Sequence, residues 1–189
     1  MELPVVTPSN PKKQPWFAEG LDFTCTTCGN CCTGGPGFVW VEEVEIERAA
    51  AHLQLTVAEF KKKFSRKIGQ KISFKEVRRP NGNHDCVFLT EIPAEQPAGG
   101  SNELEPGEPI PLTRRVCGIY PVRPLQCRTW PFWGENVVNQ SAWNRAAKGC
   151  PGINRGGRHF DAERIVELRD ARDWPENPPT SGAATSDRK

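Results

Sequence analysis

The stretch Cys25-Thr26-Thr27-Cys28-Gly29-Asn30-Cys31-Cys32-Thr33-Gly34-Gly35-Pro36-Gly37 decides how this chain is read. Four of the chain's eight cysteines lie within eight positions. Cys25, Cys28 and Cys31 are each separated by two residues, and Cys32 follows directly. A C-x-x-C spacing lets two thiolates converge on one ion as the chain turns around it. Neighbouring side chains diverge in an extended or turning chain, so Cys32 is expected to face a different ligand set from Cys31. The glycines that follow free the backbone to wrap closely, and their N–H groups could donate to sulfur. The spacing points to a soft metal, and the competing reading is a disulfide knot.

Composition weighs between the two. A chain of 189 residues with a formal net charge of +2 suits one domain with tails. With 37% apolar residues, 18 prolines and 17 glycines, the core should be modest and much of the chain irregular. Six tryptophans and nine phenylalanines supply large buried surfaces. Near-neutral charge gives no electrostatic case for nucleic acid or an anionic membrane. The start, Met1-Glu2-Leu3-Pro4, has no basic region followed by an apolar run, which argues against a signal peptide. No stretch approaches the roughly 20 apolar residues that span a bilayer. The expected compartment is therefore the cytoplasm, where thiols stay reduced. That favours metal ligation over four disulfides.

Working outward, residues 1–20 read as an extended, proline-containing arm, with Trp16 and Phe17 able to dock on the domain. Phe38-Val39-Trp40-Val41 reads as a short buried strand. Residues 42–53 predict a helix with acidic residues in its first turn. Thr56-Val57-Ala58-Glu59 is a capping box opening a helix to about Ile68, with Val57, Phe60, Phe64 and Ile68 on one face. The basic residues Lys61, Lys62, Lys63, Arg66 and Lys67 read as its solvated face. Residues 72–77 predict a strand, Pro80-Asn81-Gly82-Asn83 a hairpin turn, and Cys86-Val87-Phe88-Leu89 the start of the partner strand. Residues 93–109, rich in Pro, Gly and Glu, read as a loop insertion, and residues 111–117 return to strand. A helical turn over 123–128, an aromatic plug at Trp130-Pro131-Phe132-Trp133, a helix over 139–148 and a final helix capped by Asp161 follow. The tail from Trp174 reads as disordered. The predicted fold is α+β: a small, irregular, metal-stapled domain over 21–173, with a short antiparallel sheet and about four helices.

The remaining cysteines, Cys86, Cys117, Cys127 and Cys150, each sit beside an apolar or aromatic anchor. A packed shell could bring them to the cluster run. Eight thiolates divide into two tetrahedral sites of four. In one partition Cys25, Cys28, Cys31 and a distant cysteine share one site, while Cys32 and three distant cysteines share the other.

At this point a resemblance becomes specific. The triple spacing resembles the opening of the bacterial ferredoxin run. The whole run Cys25-x-x-Cys28-x-x-Cys31-Cys32 resembles the signature of the CxxCxxCC (YkgJ-type) cysteine cluster family. The later blocks Cys86-Val87-Phe88-Leu89, Cys117 through Phe132 and Gly149-Cys150-Pro151-Gly152 are similar to the family's others in order, over about residues 21–155. The family is described as zinc- or iron-chelating, often as an Fe–S cluster protein. A similar cysteine-rich element is associated with flagellin lysine N-methylase. The resemblance thus implies an iron–sulfur cluster and/or zinc on Cys25, Cys28, Cys31, Cys32, Cys86, Cys117, Cys127 and Cys150. It leaves open a redox or protein-modifying activity.

Iron and zinc both take thiolates. Iron is favoured by the ferredoxin-like spacing and by Arg123 and Arg128 beside Cys127, which could hydrogen-bond sulfur and offset the negative charge of a cluster. Zinc is favoured by the closed, all-protein ligand set. Tyr120, the single tyrosine, reads either as a proton donor near the cluster or as a core ring. The ordinary role for both arginines is a fork onto carboxylates or carbonyls. His84 and His159 could each replace one thiolate, and His52 reads as a helix-surface residue. There is no H-E-x-x-H, P-loop or G-x-S-x-G pattern. Catalytic residues are not identifiable. The alternative to a redox or modifying metalloprotein is a zinc-stabilised, non-catalytic interaction module. Either would engage a protein or small-molecule partner, with no membrane and no electrostatic case for nucleic acid.

Overall fold

A computed structural model of the chain describes residues 14–93 and 113–171. The expected loop insertion falls outside the described residues from position 94 on, as do most of the N-terminal arm and the tail. What is described is α+β, built on several short antiparallel ribbons. Strand β1 (Leu21–Asp22) precedes a 3-10 turn at Asn30–Cys32. Strand β2 (Trp40–Val41) leads into helix α1 (Glu43–His52) and helix α2 (Val57–Phe64). Then come β3 (Ser65–Ile68), β4 (Lys71–Phe74), β5 (Glu76–Arg78), β6 (His84–Cys86), β7 (Leu89–Pro93) and β8 (Thr113–Cys117). A 3-10 turn (Tyr120–Val122), α3 (Leu125–Thr129), α4 (Gly134–Val137), α5 (Gln140–Gly149), β9 (His159–Phe160) and α6 (Ala162–Asp170) complete the order.

Among the described residues the strands form four separate antiparallel units, β1–β9, β2–β4–β3, β5–β6 and β7–β8, rather than one short sheet. Lys75 marks one division. Its N–H donates to the Phe64 carbonyl at 2.8 Å and its carbonyl accepts from Val87 N–H at 3.0 Å, so the chain leaves the β4 ladder before joining the β6 ladder. The helix opened by Thr56 ends at Phe64 instead of Ile68. The capping box forms as expected, but Ser65–Ile68 pair with β4 across a turn at Gly69, whose φ of +58° favours glycine. Hairpin pairing there outweighs a last helical turn whose outward residues are mostly basic. The Pro80–Asn83 turn lies between β5 and β6, with Cys86 paired opposite Glu76. The helices of eight residues or more are α1, α2, α5 and α6, matching the expected number, while α3 and α4 are single turns.

Two hydrophobic clusters hold the fold. Ile46, Ala49, Ala50, Phe60, Phe74, Phe88 and Ile119 make one. Phe17, Phe132, Trp143, Ile153, Phe160 and Ile165 lie in the other. A fully buried ring of this kind contributes roughly 1.5–3 kcal/mol. The described end of the N-terminal arm belongs to the second cluster: Phe17 is buried, and the Trp16 indole donates to the Val137 carbonyl at 2.7 Å. Two buried side chains join α3 to the first half of the chain. Gln126 accepts from Trp40 N–H at 2.7 Å and donates to the Phe38 carbonyl at 3.1 Å, filling an edge of β2. Glu45 accepts from Leu125 N–H at 2.6 Å. Cys127 therefore sits on a turn of helix pinned from both sides.

Candidate functional site

The eight cysteines come from six places in the fold. Cys25 and Cys28 lie on the irregular chain after β1, and Cys31 and Cys32 on the Asn30–Cys32 turn. Cys86 ends β6, Cys117 ends β8, Cys127 lies within α3 and Cys150 follows α5. All eight line one cavity of about 60 Å³, where the two hydrophobic clusters meet: Phe74, Phe88 and Ile119 wall it on one side, Phe23 and Trp130 on the other. All eight are free thiols.

Close backbone approaches put the cysteine run there. Gly29 enters the 3-10 turn at φ +73°, and a Cβ on it would stand 2.8 Å from a Leu89 methyl. Gly152 packs so tightly on Thr24 that a Cβ would fall 2.0 Å from the Thr24 carbonyl oxygen, and Thr24 N–H donates to the Gly152 carbonyl at 3.0 Å. The residue before Cys25 is thus fastened to the residue two after Cys150. The glycine loop is held by the β5–β6 hairpin. His84 N–H donates to the Gly34 carbonyl at 2.8 Å, Gly37 N–H donates to Glu76 at 2.9 Å, and the Thr33 hydroxyl donates to buried Asp85. The Gly37 N–H that could have reached sulfur goes to that carboxylate.

Cys31 and Cys32, expected to face different ligand sets, lie close together. Their sulfurs are 3.9 Å apart and both line the same cavity. The Asn30–Cys32 segment winds at about three residues per turn, instead of extending and splaying its side chains. All eight thiols line this cavity, and Cys31, Cys32, Cys86 and Cys127 also line a second chamber beside it.

Charge within the cavity is uneven. A hydrogen bond from Cys32, with the Arg123 guanidinium nearby, lowers the Cys31 pKa to about 7 against the pull of burial. Cys117 is lowered to about 7 by the same Cys32 donor, helped by the Ile119 N–H and Arg123. Cys32, donating to both, is pushed up. Burial raises Cys86 to about 11, though the Phe88 N–H works against it, and burial holds Cys127 well above the usual thiol range. The Trp130 indole donates to Cys150 at 3.5 Å.

Of the other expected site residues, Tyr120 and Arg123 line the cavity and Arg128 does not. The Tyr120 hydroxyl bonds Cys25, which raises its pKa, and the Arg123 guanidinium stacks on its ring at 3.7 Å. Arg128 faces Glu45 at 3.6 Å, the carboxylate fork that was its alternative role. His159 pairs with Asp22 at 2.8 Å on an exposed edge, away from the thiols. His84 lines a second chamber of about 250 Å³ that shares Cys31, Cys32, Cys86 and Cys127 with the first. Sequence reasoning missed the Trp130 donor and the amides of Phe88 and Ile119. Both amides lie two residues after a cysteine and meet that cysteine's sulfur. The repeated Cys-x-apolar pattern of Cys86-Val87-Phe88 and Cys117-Gly118-Ile119 was the available signal.

The donors suit a soft or borderline metal: thiols beside an apolar wall, N–H groups near sulfur, and a guanidinium to offset anionic charge. Among the described residues, no group of three or more Cys, His, Asp or Glu side chains is so arranged that it could hold an ion as it stands. Closing on one would require the thiols to turn inward. No family model matches the chain, and no solved structure matches it. Among the described residues, no helix is long and apolar enough to cross a membrane.

Proposed function

We propose that this is a thiolate metal-binding protein of the CxxCxxCC type, carrying an iron–sulfur centre and/or zinc in the cysteine cavity. One observation carries the reading: eight cysteines spread over 126 residues of chain, from Cys25 to Cys150, line a single cavity. A set of ordinary buried thiols would distribute through the two cores, and free cysteine packs well as a small apolar group. Convergence on one space fits ligand chemistry better. Cys25, Cys28, Cys31, Cys32, Cys86, Cys117, Cys127 and Cys150 are the candidate ligands. Arg123 offsets their charge, and Tyr120 holds Cys25 by hydrogen bond. A bound iron centre would supply electron transfer or Lewis acidity, and zinc would supply a structural clasp.

A non-catalytic zinc-stabilised module is the second reading. The position of the cavity between two cores favours it, because a metal there would clasp two halves of the fold. Anaerobic purification followed by metal analysis and absorption spectroscopy decides between the two. Stoichiometric iron with visible sulfur-to-iron absorption supports the redox or protein-modifying reading. Colourless protein with stoichiometric zinc supports the module. Protein that retains neither metal, and binds neither on reconstitution, overturns both.

A further inference from the structure

His84 stands apart from the other polar groups near the thiols. Its Nδ1 is buried and has no hydrogen-bond partner. A buried nitrogen in that state forfeits the hydrogen bonds it would make in water, so a native fold keeps one where something else satisfies it. The carboxylate of Glu76, which lines the same chamber, is already engaged by Gly37 N–H and Arg66.

Its placement explains what could satisfy it. His84 and Cys86 are two apart on β6, so their side chains leave the same face of the strand. Both line the second chamber, together with Cys31, Cys32 and Cys127. The strand is fixed against the cysteine run at two points, His84 N–H on the Gly34 carbonyl and Asp85 on the Thr33 hydroxyl, and Arg79 holds Asp85 within the hairpin at 2.6 Å. The imidazole and four thiols thus line one chamber, on a strand tied by hydrogen bonds to the cysteine run.

We propose that His84 supplies a nitrogen donor to the metal of the cysteine cluster, making its ligand set mixed imidazole and thiolate. The inference rests on the metal-binding reading above. Imidazole suits zinc and iron alike. It is neutral when it ligates, so it places less negative charge on the centre than a thiolate would. In an iron centre that substitution raises the reduction potential.

Cobalt(II) titration of the reduced, metal-free full-length protein tests this, because cobalt reports its ligands by its colour. The wild-type complex should show sulfur-to-cobalt charge transfer together with ligand-field bands of a mixed nitrogen and sulfur set. H84A should weaken binding by at least the roughly 10–100-fold that follows loss of a mere outer partner of a ligand, and its ligand-field bands should move. H84C should bind with stronger sulfur charge transfer, and it carries the test if H84A does not fold by circular dichroism. H159A, at the exposed Asp22 pair, should match wild type. H84A and H84C binding cobalt with wild-type affinity and spectrum would overturn the role of His84 while leaving the metal reading intact. A wild-type protein that takes up no cobalt overturns the metal reading, and this inference with it.

Discussion

Cys32 shares one proton between its hydrogen bonds with Cys31 and Cys117, and this shapes the reactivity of the metal-free protein. Hydrogen bonding to Cys32, with Arg123 nearby, lowers Cys31 and Cys117 from the ordinary value of 9.0 to about 7. The sign follows directly. A lowered folded-state value stabilises the fold above the ordinary thiol range, and that contribution is lost as the pH falls towards 7. In metal-free protein, iodoacetamide should therefore modify one thiol of this group with a midpoint near pH 7, and Cys86 only near pH 11. Mass-spectrometric site mapping across pH reads this, and a common midpoint for all thiols would contradict it. Arg123→Ala should move the Cys31 and Cys117 midpoints upward, because the guanidinium lowers both. All eight cysteines were legible from their spacing and anchors, as were Tyr120 and Arg123. The position of Arg128 was not, since the carboxylate it faces, Glu45, lies far upstream on α1 and no local pattern links them.

Glu45 also shows how the short elements are held in place. It caps α1 through the Glu42 N–H at 3.1 Å and reaches across to Leu125 N–H, fixing the start of the turn that bears Cys127. Glu45→Ala leaves both donors without their acceptor and should cost about 1–3 kcal/mol in thermal or denaturant unfolding. An unchanged midpoint would show that water replaces the carboxylate. Gly152→Ala forces a methyl into the Thr24 carbonyl and should destabilise by roughly 1–3 kcal/mol. It should also loosen Cys25, measurable as faster alkylation of that thiol; a wild-type rate would show that Thr24 does not position it. The capping boxes and the Asn139 and Asp161 caps form from short-range chemistry, so α2, α5 and α6 begin where the residues predict. Strand β3 was hidden for the opposite reason. Its Phe60, Phe64, Ile68 spacing is helical, and only pairing with β4 turns Ser65–Ile68 into strand.

The two hydrophobic clusters meet at the cysteine cavity, so the seam between them is lined by thiols as well as by apolar side chains. Half-buried and exposed thiols supply little of the burial that an ordinary core would provide at that point. A metal bound there would contribute to folding directly, on the order of 10 kcal/mol for a structural site. Stripping the metal with a strong chelator should therefore lower the midpoint of the thermal transition in calorimetry, and adding zinc or iron back should restore it. A stripped protein that melts unchanged would show that the two cores hold together alone. The α+β class and the convergence of distant cysteines were readable from element patterns. The division into four ribbons was not, because it depends on which strands find partners far along the chain, as β1 does with β9.

That convergence also has an order in time. During synthesis the cysteine run leaves the ribosome before the other cysteines, yet the wall of the cavity is complete only once Cys150 and the Gly152 contact with Thr24 have emerged. Domains tend to fold as units while the chain is made. Here the first thiols must wait, reduced and uncommitted, through more than a hundred further residues before their last partner arrives. Closure of the cavity is accordingly a late event in the life of each new chain, and the early thiols are its most vulnerable point until then.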